Sequence, residues 1–181
     1  MRWLALTVVL VAAALALHAM GRPWWCQAGD LTPWSVQVQS RHNSQHLIDA
    51  YSVTHAMHGL LFYWALWLTL GSFAGPTTRA GIALGIETTW EIVENTNAMI
   101  ERYRATTISL DYYGDSVVNS VTDILAMAFG FWLVSRLRIR ASIALMVAID
   151  VALLILVRDS LAVNIIMLIH PVDAIRQWQL R

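Results

Sequence analysis

Two histidines three residues apart, His55 and His58, stand in an apolar stretch and share one face of any helix formed there. The next apolar stretch carries Glu87, Glu91 and Glu94, a single stripe about 10 Å long at roughly 1.5 Å per residue. A third series, Asp111, Asp115, Asn119 and Asp123, recurs every four residues and falls on one face wherever that stretch is helical. Imidazole with carboxylate is a ligand set for divalent zinc, manganese or iron, and a metal-bound water is a nucleophile near neutral pH. Without metal the same groups do acid–base work or carry protons. So many carboxylates cannot all be ionised side by side. They stay partly protonated, pair with Arg102, Arg104 or a protonated His, or hold a divalent metal. The spacing matches no HExxH-type motif, so no particular metal is singled out.

The chain that positions these groups has 181 residues, room for a single domain. It is 57% hydrophobic and 13% charged, against about 25% charged in soluble domains, and its mean hydropathy is +0.55. Twelve basic and twelve acidic residues cancel, which leaves no basic excess to hold nucleic acid. Nine Trp, many at the ends of apolar runs, suit a membrane interface. The single Cys26 excludes an internal disulfide and any cysteine-based zinc cluster. The expected fold is therefore all-α, a polytopic helical membrane bundle within the lipid bilayer. About five transmembrane helices cover residues 3–20, 52–74, 80–100, 115–133 and 141–157. The first is read as a retained anchor rather than a cleaved signal peptide. An outer loop covers 21–50. In the tail, 158–181, the apolar piece 161–169 is too short to span easily and reads as interfacial or re-entrant.

Arginine placement sets the orientation. Arg136, Arg138 and Arg140 form the densest cluster and mark the cytoplasmic side, with Arg2 and Arg79 beside them. The N-terminus is then cytoplasmic, and the 21–50 loop, the 101–114 loop and the C-terminus lie outside. On that topology His55, Glu91, Glu94, Asp115 and Asn119 all sit near the outer ends of their spans, with Glu87 and Asp123 deeper as a floor. Ionisable groups within spans face the bundle interior and mark functional sites. His42 and His46 of the outer loop either lid this site or are solvated. Asp150, mid-span, calls for an interior partner, and Arg158 with Asp159 belongs at the outer interface. Gly59, Gly81, Gly85 and Gly130 permit close helix approach.

Several stretches carry a resemblance: Asn43-Ser44-Gln45-His46, His55-Ala56-Met57-His58-Gly59, Glu87 through Asn95, Glu101-Arg102-Tyr103-Arg104, Ser109 through Ser116 with Asn119 and Asp123, Arg158-Asp159, and His170 through Ile175. In these the chain resembles a family of small alphaproteobacterial inner-membrane proteins known as a domain of unknown function, from about residue 20 to the end. The resemblance implies a multi-pass protein of the bacterial inner (plasma) membrane and carries no activity. A looser, motif-level similarity is to VanZ-like membrane proteins, with His58, Glu91, Asp115 and Asn119 at the matching positions. It would imply cell-envelope or lipid-related work.

Two functions stay open. In the first, a hydrolase or transferase acts on a lipid or polyprenyl headgroup or envelope precursor at the outer leaflet. His55, His58, Glu87, Glu91 and Asp115 then bind a divalent metal, with Glu91, Asp115 and His58 as catalytic groups. Arg102, Arg104, Asn119, Asp123 and Glu94 hold the ligand, the arginines through a phosphate. This reading expects a cavity open laterally to lipid. In the second, the protein is non-catalytic, serving binding, transport or assembly, and its acids are structural or proton-carrying. No nucleophilic Ser with triad partners, phosphate-cradling Gly loop or haem motif is present in the sequence.

Overall fold

The computed structural model describes residues 2–181, with side chains from Leu4 onward. Among them run α1 (Arg2–Ala19), β1 (Trp34–Ser35), β2 (Ile48–Asp49), α2 (Ala50–Leu70), α3 (Pro76–Glu94) and α4 (Asn97–Thr106). Then follow α5 (Val117–Val134), α6 (Ile139–Val157), α7 (Leu161–Ile169) and α8 (Asp173–Gln179). The all-α class holds. The Arg2 side chain, one of the orientation markers, lies outside the described side chains.

At the centre α2 crosses α5, α3 packs on both, α1 lies against α5 and α3, and α6 lies against α2. The α2–α5 crossing is close because glycine faces backbone. A Cβ at Gly59 would collide with the Met127 carbonyl oxygen, and one at Gly130 with that of Ala56. Gly81 and Gly85 have nothing near them, so they do not serve close approach as expected.

Against five expected spans, two helices among the described residues are long and apolar enough to cross a membrane, Val117–Val134 and Ile139–Val157, with a shorter apolar helix at Leu4–Ala19. The stretches α2 and α3 are long enough, but polar groups interrupt them: His55 and His58 in one, Arg79 and three glutamates in the other. Large apolar residues recur on the outside at helical spacing. Leu4, Val8, Val11 and Leu15 of α1 are exposed, as are Ile143, Val147, Val151 and Ile155 of α6.

The expected span 80–100 ends early. Asn95 closes α3, and Thr96 opens α4 by accepting the Met99 amide on its hydroxyl. The first part of the expected loop 101–114, up to Thr106, is thus helix. The 115–123 stretch differs too, because α5 starts only at Val117, capped by Ser116. Asp111 and Asp115 therefore precede the helix and do not share a stripe with Asn119 and Asp123. The first amide groups of a helix need outside acceptors. At α5 the 21–50 segment supplies them: Pro23 accepts from Val117 at 2.8 Å, and Ser44 accepts from Ser116 at 2.9 Å. That segment is packed, with parallel pairing of Trp34 to Ile48 and Ser35 to Asp49. Asp49 then starts α2 through a capping box with Ser52.

Candidate functional site

Three helices deliver the cluster. On α2, His55 and His58 lie one turn apart. On α3, Glu87 and Glu91 lie one turn apart, and Asp123 comes from α5. Glu87 and Glu91 have no solvent exposure, and Asp123 is 2% exposed. His55 Nδ1 stands 2.6 Å from Glu87 Oε1 and 3.2 Å from Glu91 Oε1, and its Nε2 stands 3.9 Å from Asp123 Oδ2. His58 Nδ1 reaches both Glu87 oxygens, at 3.2 and 3.1 Å. Glu87 is thus satisfied by two imidazoles. Glu91 is not. Its Oε1 lies within ion-pair range of His55, but no aligned donor reaches either of its carboxylate oxygens. One Asp123 oxygen, Oδ1, is likewise buried without a partner.

A second group continues from the first at the end of α3. Asn95 donates to Asp115 Oδ2 at 2.7 Å and accepts the Asp115 amide at 2.7 Å. Tyr112 donates its hydroxyl to Asp115 Oδ1 at 2.9 Å. Ligand atoms of His55, Glu91 and Asp123 lie within 4.8 Å of one another, as do those of His55, His58 and Glu87, and those of Glu91, Glu94 and Asp115. Five carboxylates thus face two imidazoles. No arginine forms an ion pair among the described residues, and every ion pair is made by a histidine. Even with both imidazoles protonated, three negative charges would stand uncompensated. A cluster of this composition takes up protons or a cation.

The structure does not bring Arg102 and Arg104 to the cluster, contrary to the pairing considered from sequence. Arg102 donates to the Leu168 carbonyl at 3.0 and 2.6 Å, and Arg104 donates to that of Tyr112. Their guanidinium groups are taken up by backbone carbonyls, one at the end of α7 and one in the loop before α5. Asn119 faces the other way and donates to the His46 carbonyl at 2.9 Å. Asp111 is exposed. His42 and His46 do not lid this site, and His46 is fully buried rather than solvated. His42 contacts His46 at 3.2 Å and Cys26 at 3.5 Å. The expectation that a lone Cys excludes any cysteine-based zinc cluster is too broad, since it rules out an all-cysteine cluster but not this mixed group.

Asp150 finds its partner at the start of α7. It accepts from Ser160 Oγ at 3.1 Å and the Ala162 amide at 3.2 Å. Arg158 and Asp159 do not pair. Asp159 is buried and accepts from Tyr51 at 2.8 Å and Gln179 at 3.1 Å.

A cavity of about 310 Å³ adjoins the cluster, lined at its polar end by His55, His58, Glu94, Asp115 and Asp123. Leu61, Ile86 and Ile165 also line it, and they are 37%, 44% and 45% exposed. Glu87 and Glu91 stand behind this wall. Sequence reasoning gave no role to Asn95 or Tyr112. The Asn95-Thr96 pair, a helix stop followed by a helix start, was the available signal for the first.

Fold and site define an all-α protein with a buried His–carboxylate cluster beside membrane-length apolar helices. The chain belongs to the family described as "Protein of unknown function (DUF2585)", matched over residues 17–181. It is 49% identical to a UPF0314 protein of Paracoccus denitrificans over 172 residues, covering 95% of this chain and 89% of that one. Identity is 46% to a UPF0314 protein of Rhizobium meliloti, covering 97% of this chain and 89% of that one. It is 43% to one from Brucella anthropi, covering 98% and 92%. These matches do not show the VanZ-like similarity, and no solved structure matches the chain.

Proposed function

We propose that the protein is a multi-pass inner-membrane protein whose cavity takes the polar head of a lipid or envelope precursor from the side. The reading continues to a metal-dependent hydrolase or transferase, with a divalent cation held among His55, Glu91 and Asp123. The observation that carries it is that one cavity joins His55, His58, Asp115 and Asp123 to a rim of exposed Leu61, Ile86 and Ile165. A headgroup needs the first set and an acyl chain the second. Glu91, a buried carboxylate without hydrogen bonds, supports the cation, since a bare buried charge is costly. The metal would supply an activated water or polarise a phosphoryl or acyl oxygen. Asp115, held by Asn95 and Tyr112, fits acid–base work at the cavity wall. The exposed apolar faces of α1 and α6 fit lipid contact. With Arg102 and Arg104 elsewhere, the cation rather than a guanidinium would meet a phosphate.

The competing reading, a non-catalytic network that fixes helix packing, has Glu87 in its favour, because two histidines already neutralise it. The two readings part on Glu91→Gln. Detergent-purified protein is loaded with zinc, manganese or iron, and bound metal is counted by mass spectrometry. Phospholipid carried by the protein is read by native mass spectrometry. Metal lost in Glu91→Gln with the fold intact, and lipid lost on Ile165→Glu, support the proposal. No Glu91-dependent metal and no retained lipid overturn it in favour of the packing network.

A further inference from the structure

A second cluster of ligating side chains lies in the 21–50 segment, apart from the cavity. Three groups converge on one atom, His42 Nδ1: Cys26 Sγ at 3.5 Å, His46 Nε2 at 3.2 Å and Asp30 Oδ2 at 3.9 Å. The ligand atoms of Cys26, His42 and His46 all lie within 4.8 Å of one another. His46 Nδ1 is 2.6 Å from the Thr32 carbonyl, an acceptor only, so the ring proton sits there and the Nε2 lone pair points into the cluster. Asp30 is held in the same way, its Oδ1 accepting the Thr32 amide at 2.8 Å while Oδ2 faces His42.

A hydrogen bond between His42 Nδ1 and His46 Nε2 engages only two of the four groups. If His42 Nδ1 carries a proton, it can serve only one of three acceptors. If it does not, its lone pair faces that of His46 Nε2 with nothing between them. A cation among the four groups resolves both cases. At His42 the spacing to Cys26 and His46 agrees: bonds of about 2.0–2.3 Å in a tetrahedral zinc site place neighbouring ligand atoms roughly 3.3–3.7 Å apart, and Asp30, 3.9 Å from His42 Nδ1, moves in to close the fourth position. The backbone is set for it as well. Ser44 takes a left-handed conformation, φ 56°, between the two histidines, and its amide is pinned by Asp49 Oδ2 at 3.0 Å. Half-exposed Asp30 and His42 leave an entry path from water.

We propose that Cys26, Asp30, His42 and His46 bind one zinc ion in a tetrahedral thiolate–imidazole–carboxylate site. The ion clamps the segment that caps α5, because Pro23 and Ser44, which accept the first α5 amides, flank its ligands. The site shares no residue with the His55–Glu91–Asp123 cluster and stands or falls separately from it.

The test uses the full chain in mild detergent, stripped with chelator and titrated with Zn²⁺ and with Co²⁺. The expected result is about one equivalent of zinc that survives Glu91→Gln and is lost in Cys26→Ser and in His42→Ala. The cobalt form should show a thiolate charge-transfer band and tetrahedral d–d absorption, both absent from Cys26→Ser. Zinc should raise the melting temperature of wild type but not of Asp30→Asn/Cys26→Ser, in which a half-exposed carboxylate becomes its amide and buried Cys26 loses only its sulfur, changes that spare the fold. Zinc stoichiometry unchanged by Cys26→Ser, or a cobalt spectrum without sulfur character, would overturn the site.

Discussion

The sharpest division within the cluster is between two glutamates one helical turn apart. Glu87 accepts from His55 at 2.6 Å and from His58 at 3.2 and 3.1 Å, with no solvent to replace them. Glu87→Ala strands the buried His55 imidazole and the partly buried one of His58. Removing one partner of a buried pair costs about 3–5 kcal/mol. A chain of this size loses about 2–4 °C per kcal/mol, so the melting temperature should fall by roughly 6–20 °C. Glu91→Gln is the contrast. Its carboxylate has no hydrogen bond to lose, and the amide keeps its shape while removing a buried charge. Metal-free stability should therefore stay within about 1 kcal/mol of wild type or rise. The assay is thermal unfolding in detergent with chelator, followed by tryptophan fluorescence. If Glu91→Gln falls as far as Glu87→Ala, the acids form one structural network and the division is refuted. If Glu87→Ala melts with wild type, the histidine pairing does not stabilise the bundle.

Gly130→Ala should destabilise by about 1–3 kcal/mol or more, since its Cβ meets the Ala56 carbonyl across the α2–α5 crossing, while Gly81→Ala should be neutral or slightly stabilising; the two melting curves check this. Asp159→Ala should cost about 2–4 kcal/mol in a denaturant titration, because Tyr51, Asn164, Gln179 and the Ser160 amide all lose their acceptor. Burial holds the Asp159 carboxyl above its ordinary 3.8, so the folded state binds the proton more tightly than the unfolded chain. Its contribution then falls as pH rises above 3.8. Wild type should lose stability relative to Asp159→Asn over that window, and parallel pH profiles would contradict this.

Much of the cluster was legible in the sequence because helical spacing survives packing. His55 with His58, and Glu87 with Glu91, needed only a helix to share a face, and α2 and α3 are helices. The same rule failed at Asp111 and Asp115, where regular spacing runs through a non-helical segment ended by the Ser116 cap. Arg102 and Arg104 were misassigned because charge complementarity ignores reach. They lie on α4, a helix that apolarity had merged partly with the preceding span, and they bond nearby carbonyls instead. The Cys26–His42 proximity had no sequence signal, since it arises from a left-handed turn at Ser44 and a loop folded back on α5.

The break between α3 and α4 explains why the acids meet at all. Had α3 run on to residue 100, the side chain of Asn95 would sit mid-helix among its own turns. Because the helix ends there, Asn95 makes a two-way bond with Asp115, donating to the carboxylate and accepting from the amide, while donating also to the Glu91 carbonyl at 3.0 Å. One amide side chain thus ties the last turn of α3 to the segment leading into α5. It sets Asp115 beside Glu91 and Glu94. Tyr112 completes the fixing from the same loop. A group so held is placed to within hydrogen-bond tolerance without being locked inside a helix, which suits a residue that exchanges a proton or ligand at the cavity wall. Glu91, by contrast, has no aligned donor, only the His55 imidazole within ion-pair range.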